Sequence, residues 1–384
     1  MRLEAVDGTA ADVLPRLHAM LEGSGPALGL GTTRDATTTV ADGTAAVITT
    51  SGSTGIPKRV VLSRAALIAS GTATATRVGA GPWLLALPPG YVAGLQVLSR
   101  SLLAGHEPVL LDGSFRPEAF AAAALAMPAG GLYTSLVPAQ LTRLLDAAEH
   151  DDAVAAALRV FAAILVGGQA LPALVRRRAQ DAGARIVRTY GATETCGGCV
   201  YDGVPLDGVT IRVAAGEVQL SGPVLADGYL DDAALTDAAF PRDADGTRWY
   251  RTGDAGAVDA GVLRVHGRID NVIISGGINI SLDRVERVVR DVAGLAGAVV
   301  VGVPDGRWGE ASVIVVARGA VAPDADPRAA PRDTEADLLE AARRAVADQI
   351  GPHARPARLV FVDEMATLHS GKPDRAAIAR AVTR

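Results

Sequence analysis

Lys58 and Lys372 are the only two lysines in a chain that carries 37 Lys and Arg residues in total. Lys58 closes the string Ser51-Gly52-Ser53-Thr54-Gly55-Ile56-Pro57-Lys58, and Lys372 stands in Ser370-Gly371-Lys372-Pro373. Arg presents a rigid planar fork and Lys a compact ammonium on a flexible stem, so the two do not exchange freely at a crowded reaction centre. Two leftover surface lysines are the plain alternative. In the first string, small hydroxyl and glycine residues follow an apolar run at 45–50. They leave backbone N–H groups and Ser/Thr hydroxyls facing an anion, with Lys58 as a point charge. The string is not a P-loop, which requires G-x-x-x-x-G-K-[ST]; here Pro57 precedes the lysine and Arg59 follows it.

Further strings carry polar chemistry. Tyr190-Gly191-Ala192-Thr193-Glu194-Thr195 puts an aromatic face, a hydroxyl donor and a carboxylate in one turn, suited to a purine, a phosphate and Mg2+ respectively. Tyr250-Arg251-Thr252-Gly253-Asp254 offers a carboxylate able to accept both hydroxyls of a ribose. Gly267-Arg268-Ile269-Asp270-Asn271 supplies a second ribose contact and a pivot, and the Gly276-Gly277 pair beyond it admits close backbone approach. Each string alone also fits an ordinary turn. Cys196 and Cys199, the only cysteines, are spaced C-G-G-C. With no second pair and no nearby His, a four-ligand metal site is not expected, and a small-residue turn is favoured over a redox dithiol.

The elements that must position these groups can be read from apolar spacing. Val13, Leu14, Leu17 and Leu21 predict an amphipathic helix over 9–22. A strand at 45–50 runs into the phosphate string, then a short strand at 59–62 and a helix opened by Ser63. Strand-like runs at 83–87, 108–112, 131–137 and 161–168 alternate with helical stretches, which predicts an open α/β sheet covered on both faces. After Tyr190, short strands at 209–213, 216–222, 248–254 and 261–268 predict a β-rich subdomain. A new unit begins at Asp270, with a helix near 281–292 and two apolar strands. A Pro/Ala/Asp loop at 319–333 then precedes a helix capped by Asp333 or Thr334, a last strand, the Lys372 turn and a terminal helix. The domain boundary is expected at 268–271, giving domains 1–269 and 270–384.

In order and spacing, these strings resemble the acyl-adenylate-forming superfamily: acyl-CoA synthetases, stand-alone adenylation domains and luciferases. The likeness runs from about Ala46 to the C-terminus. It includes Gly216-Glu217-Val218, Gly222-Pro223, Gly228-Tyr229-Leu230, Gly302-Val303-Pro304-Asp305 and Trp308-Gly309-Glu310. The resemblance implies an α/β fold: a large N-terminal domain of layered α/β sheets with a β-rich subdomain, and a small mobile α+β C-terminal domain. It implies that Ser51, Gly52, Ser53, Thr54, Gly55 and Lys58 bind the ATP phosphates. Gly167, Gly168 and Gln169 would line the adenine and acyl pocket. Tyr190 and Gly191 would meet adenine, Thr193 the α-phosphate, and Glu194 Mg2+. Asp254 and Arg268 would hold the ribose, with Asp270 as hinge. Gly276, Gly277 and Trp308 would border CoA, and Lys372 would bridge the attacking carboxylate and the α-phosphate.

The chemistry of the residues agrees with that implication. Joining a carboxylate to ATP brings two anions together, so the site must cancel charge rather than supply a nucleophile; Mg2+ and two ammonium groups meet that demand. A thiol then needs little base assistance, because thiols ionise near pH ~8.5. A lysine on a mobile domain can serve the first step and withdraw for the second.

Within the superfamily the chain resembles the o-succinylbenzoate–CoA ligase branch of menaquinone biosynthesis. The phosphate string lies near residue 50, and the segments Tyr91-Val92-Ala93-Gly94-Leu95-Gln96-Val97-Leu98-Ser99-Arg100 and Thr134-Ser135-Leu136-Val137-Pro138 look like that branch's substrate segments. Tyr91, Gln96, Arg100 and Ser135 are therefore candidate substrate contacts, with Arg100 expected to hold a second carboxylate and Arg188 competing for that role. Two departures stand out: Arg59 replaces a small residue after the loop lysine, and Gly90-Tyr91 stands where His is common. Other aryl- or fatty-acyl-CoA synthetases, and an adenylation domain loading a carrier protein, are the alternative readings.

Composition narrows the class. The net charge of −5 gives no electrostatic footprint for nucleic acid, and 49% apolar residues argue against disorder. The uncharged stretches at 78–99 and 119–142 are broken by Gly and Pro, so buried core is expected there rather than membrane insertion. The expected setting is a cytoplasmic enzyme with small-molecule partners: a carboxylic acid, ATP and CoA. A homodimer is compatible with the sequence.

Overall fold

A computed structural model describes residues 1–31, 38–51, 57–111, 113–128, 130–318, 334–368 and 372–383. The chain opens with β1 (Leu3–Val6), α1 (Ala10–Glu22), β2 (Ala27–Leu30), β3 (Thr44–Ser51) and β4 (Pro57–Ser63). The Thr9 side chain starts α1 by accepting the Asp12 backbone N–H, and Gly23 ends it with a left-handed φ of 84°. β1 and β2 are too short to show a periodicity in the sequence, yet they pair in parallel and place β2 beside β3. β3 and β4 are antiparallel, bringing Thr50 opposite Lys58. Gly52, Ser53, Thr54 and Gly55, between those strands, lie outside the described residues.

The alternation foreseen in the sequence follows: α2 (Arg64–Val78), β5 (Trp83–Leu85), α3 (Val92–Leu103), β6 (Val109–Leu110), α4 (Pro117–Ala126), β7 (Leu132–Leu136), α5 (Pro138–Ala148), α6 (Asp152–Val160), β8 (Phe161–Val166), α7 (Ala173–Asp181) and β9 (Ile186–Ala192). Strands β6, β5, β7, β8 and β9 pair in parallel in that order. Such strands need both faces covered, which explains the continuous apolar run of β8. One face buries Phe120, Leu132, Leu144, Leu158 and Phe161 against α4, α5 and α6.

The chain then turns antiparallel. β10 (Gly197–Tyr201) pairs with β9, and β11 (Val204–Pro205) completes that sheet. β12 (Thr210–Ala214), β13 (Glu217–Ser221), β15 (Tyr250–Asp259) and β16 (Val262–Arg268) share a second sheet. Between them, β14 (Gly228–Tyr229) joins β4, and α8 (Ala233–Ala239) follows it. β17 (Val272–Ser275), β18 (Ile278–Ser281), α9 (Leu282–Arg290), β19 (Val299–Asp305), β20 (Gly309–Ala317), α10 (Glu335–Gln349), β21 (Arg358–Val362) and α11 (Arg375–Val382) end the chain.

The contacts divide the chain into two compact units. The first holds 1–171, 175–252 and 258–264; the second holds 172–174, 253–257 and 265–384. Asp254 and Arg268 thus belong to the second. Its sheet buries Val285, Val289, Ile314 and Val346 on the α9 and α10 side, and Val301, Val313 and Ile378 on the α11 side. Of the two expected caps for α10, Thr334 takes the role: it accepts the Asp337 N–H, and Asp337 in turn accepts the Thr334 N–H. Asp333 lies outside the described residues. Among the described residues no helix is long and apolar enough to cross a membrane.

Candidate active site

Lys58 sits two residues before Val60 on β4, and Val60 stands directly opposite Tyr229 of β14. Alternation along a strand puts Lys58 and Val60 on one face, so the lysine becomes the diagonal neighbour of Tyr229. Its ammonium lies 5.5 Å from the centre of the Tyr229 ring. The phenol donates to Glu194 Oε1 at 2.9 Å. The cation of the phosphate string and the carboxylate of the Tyr190 string are thereby joined by one side chain. Burial, then the adjacent carboxylate, pushes the Tyr229 hydroxyl far above the ordinary phenol range, so it stays protonated and remains a donor.

Glu194 belongs to a single 3-10 turn, Thr193–Thr195, at the end of β9. The Thr195 hydroxyl accepts the Ala192 N–H at 2.9 Å and donates to the Gly197 carbonyl at 2.8 Å. Cys196 leaves the turn with a left-handed φ of 50°. Gly191 must lack a side chain here, because a Cβ would stand 2.1 Å from the Gly197 carbonyl oxygen. Tyr190 pairs with Val200 across the same two strands. Gly167, after β8, is equally confined: a Cβ would meet the Thr189 hydroxyl at 2.2 Å, and Gly168 has φ of 81°. Both cysteines are fully buried, and burial raises both thiols, Cys199 to about 12. No cluster of three or more His, Cys, Asp or Glu that could hold a metal occurs among the described residues.

The candidate acyl-side residues lie on α3 and β7. The buried Gln96 amide donates to the Cys196 carbonyl at 2.8 Å, tying α3 to the turn that carries Glu194. Ser70 of α2 donates to the same carbonyl at 3.2 Å. Arg100, one helical turn beyond Gln96, is only 7% exposed and lies 5.2 Å over the Trp83 ring. Its Nε and the Gln96 Oε1 are buried with no hydrogen-bond partner among the described residues. Arg100, Trp83, Gly71, Thr74 and Leu103 line a cavity of about 190 Å³. Ser135 is buried on β7, two residues from Tyr133, whose ring stacks on Trp83. Tyr91 stands at the N-terminus of α3, half-buried, its hydroxyl pushed up by burial. Arg188 pairs instead with Asp202, its Nε at 2.8 Å, which commits it to β9 and the turn after β10.

In the second unit, Arg268 stands between two carboxylates, 2.9 Å from Asp270 and 3.5 Å from Asp254. The Asp283 side chain holds the 268–271 segment: Oδ2 accepts the Arg268 N–H at 2.7 Å, and Oδ1 accepts the Asn271 amide at 2.7 Å. Gly276 turns with φ of 56° against Trp308, whose carbonyl accepts the Gly276 N–H at 2.8 Å. Trp308 is exposed, as is Ile274 on the adjoining β17. Lys372 is exposed, and its carbonyl accepts the Leu368 N–H at 2.8 Å.

Sequence strings brought Lys58 and Glu194 forward, but not Tyr229, Trp83 or Asp283 as partners of site residues. Tyr229 appears in the sequence only as part of Gly228-Tyr229-Leu230, and its reach to Glu194 spans 35 positions.

The AMP-binding enzyme model matches residues 5–218, and the AMP-binding enzyme C-terminal domain model matches residues 284–372. Among curated proteins, the chain is 40% identical over 385 residues to the probable 2-succinylbenzoate–CoA ligase of Mycobacterium tuberculosis, covering 96% of this chain and 94% of that protein. It is 32% identical over 278 residues to the 2-succinylbenzoate–CoA ligase of Escherichia coli, covering 70% of this chain and 57% of that protein. Among solved structures, the o-succinylbenzoate CoA synthetase of Bacillus subtilis in complex with the acyl-adenylate intermediate matches with a TM-score of 0.74. The match has 22% identity and covers 98% of this chain and 82% of that chain. An amide bond synthetase from Marinactinospora thermotolerans also matches with a TM-score of 0.74, at 26% identity and covering 100% of this chain and 80% of that one.

Proposed function

The chain belongs to the AMP-binding enzyme family, and from that premise we propose that it is an ATP-dependent carboxylate–CoA ligase acting on o-succinylbenzoate. The carboxylate attacks the α-phosphate of ATP, forming o-succinylbenzoyl-AMP and releasing pyrophosphate. The CoA thiol then attacks the acyl carbon, forming the thioester and releasing AMP. The end-to-end likeness to the mycobacterial ligase carries this reading. The expected setting is the cytoplasm.

The residues divide that work by charge. Lys58, with the 51–55 segment before it, receives the β- and γ-phosphates. Thr193 meets the α-phosphate, Tyr190 and Gly191 the adenine, and Gly168 the junction of adenine and acyl group. Asp254 and Arg268 hold the ribose, and Lys372 offsets the charge that builds as carboxylate and α-phosphate meet. The donor set favours Mg2+ over a metal caged by protein. Glu194 is a single carboxylate, 8% exposed, and Mg2+ characteristically takes one or two carboxylates and draws its other ligands from water and phosphates. Bound there, Mg2+ would neutralise phosphate oxygens. Gly276, Gly277 and Trp308 border the path of CoA.

On the acyl side, Tyr91, Gln96, Ser135 and Gly167 shape the pocket, and Arg100 pairs with the succinyl carboxylate. A buried guanidinium whose Nε has no hydrogen-bond partner among the described residues supports that role, because a buried donor left unmade is costly. The test is ATP–pyrophosphate exchange across o-succinylbenzoate, benzoate and long-chain fatty acids. Exchange stimulated by o-succinylbenzoate above the others is expected; exchange driven by fatty acid instead would move the chain to a different branch.

A further inference from the structure

We propose that Tyr229 is a positioning residue that couples the phosphate-binding cation to the metal-binding carboxylate, its ring steadying Lys58 and its hydroxyl orienting Glu194. The inference rests on the reading above, in which Lys58 faces phosphates and Glu194 faces Mg2+.

Two contacts from opposite ends of one side chain carry it. The ring lies 5.5 Å from the Lys58 ammonium, and the hydroxyl stands 2.9 Å from Glu194 Oε1. A cation over an aromatic face is attracted without being neutralised, so Lys58 is held in place with its charge intact for an incoming anion. The Glu194 Oε1 is likewise held by a neutral donor, the Tyr229 hydroxyl, which fixes the carboxylate without bringing a competing cation. An Arg or Lys in place of Tyr229 would quench Glu194 and repel Lys58. A phenol does neither.

The surroundings hold Tyr229 rigidly. Its strand is fastened to β4 on both sides, by Asp227 N–H to the Val61 carbonyl and Leu230 N–H to the Arg59 carbonyl, each 2.8 Å. Arg59 adds an ion pair to Asp231 at 2.7 Å, giving a structural use to the arginine that departs from the small residue usual at this place. The Ala226 N–H donates to the Glu194 carbonyl at 2.8 Å, so the same segment grips the backbone of the 3-10 turn as well as its carboxylate. Arg248 fixes that segment by donating to the Ala226 and Asp227 carbonyls. Phe240 backs the ring at 5.9 Å, and Tyr229 is only 7% exposed. A side chain so confined transmits position from β4 to the turn.

Calorimetry on the full chain separates the two contacts. Tyr229→Phe keeps the ring and removes the hydroxyl; Tyr229→Leu removes both. Binding of AMP in EDTA should stay within about twofold of wild type in the Phe variant. Its MgATP affinity should fall by about tenfold, the scale of one hydrogen bond to a charged group, and the Mg2+ concentration for half-maximal binding should rise. ATP binding in EDTA should be preserved by Phe and weakened by Leu. Glu194→Gln should raise the same Mg2+ requirement, and adding Tyr229→Phe to it should change the requirement by less than about twofold, since the pair acts as a unit. An unchanged Mg2+ requirement in the Phe variant, equal losses for AMP and MgATP, or full additivity with Glu194→Gln would each overturn the proposal. If wild type itself bound no MgATP, the reading of the chain as an ATP-dependent ligase would fail instead.

Discussion

Asp283 accepts the Arg268 backbone N–H at 2.7 Å while the Arg268 side chain pairs with Asp270 at 2.9 Å. Arg268 is therefore clasped from behind by the first turn of α9 and from in front by its own neighbour. Gly267 lies so close that a Cβ there would stand 2.5 Å from the Asp283 Cβ. Asp283→Ala frees the 267–271 segment and leaves the Arg268 and Asn271 donors without this acceptor. The expected outcome is a loss of about 1–3 kcal/mol in stability of the C-terminal unit by denaturant titration, from the stranded polar groups. Thioester formation should change more than adenylation, in stopped-flow measurements of the two half-reactions. Equal effects on both would remove Asp283 from control of the pivot.

Lys372 tests the charge-cancelling role proposed for the C-terminal unit. Lys372→Ala should lower carboxylate-dependent ATP–pyrophosphate exchange by about 10²-fold or more, the scale of losing one electrostatic group aimed at a transition state. Thioester formation from chemically prepared acyl-AMP should change by less than about tenfold. Lys372→Arg should not restore exchange, because a planar fork does not replace a point charge.

The Arg100 prediction is one of selectivity. Arg100→Ala should raise KM for o-succinylbenzoate by about tenfold or more while leaving KM for ATP within about twofold, consistent with the loss of one charge-assisted pair. Equal changes in the two would show that the guanidinium serves packing over Trp83 alone.

Much of this organisation was legible in the chain. The strand at 161–166 announces itself as a continuous apolar run, and the helix opened by Ser63 is indeed capped by that residue. The strands β1 and β2 were not legible, because four residues establish no period and their pairing is set by tertiary contact. Candidate site residues were legible where small residues cluster: Gly191 and Gly167 prove to be places where a Cβ cannot fit. Partnerships were not. Tyr229 with Glu194, and Gln96 with the Cys196 carbonyl, join positions 35 and 100 residues apart, and no local pattern encodes such meetings.

The C-G-G-C segment, expected as a turn, runs from Cys196 at the end of the 3-10 turn into β10 and should be chemically silent. Cys196 and Cys199 are fully buried and both thiols are raised, so neither forms the thiolate that alkylation needs near neutral pH. Iodoacetamide at pH 7.5 should label neither in the native protein and both after denaturation, read by intact mass. The folded chain holds these protons more tightly than the unfolded one. The thiols therefore contribute stability that is complete below the ordinary thiol range and declines as pH climbs from there toward about 12, the value for Cys199. Rapid labelling of the native protein at neutral pH would contradict this account.

The central claim is that an acid is joined to AMP before it meets a thiol. Purified protein, ATP, Mg2+ and o-succinylbenzoate, quenched in acid and read by mass spectrometry, tests it directly. Without CoA, the mixed anhydride of o-succinylbenzoate and AMP should accumulate to about one per protein chain, and adding CoA should convert it to the thioester within one turnover. Thioester formed with release of ADP and phosphate, or no adenylate from any acid supplied, would contradict the account.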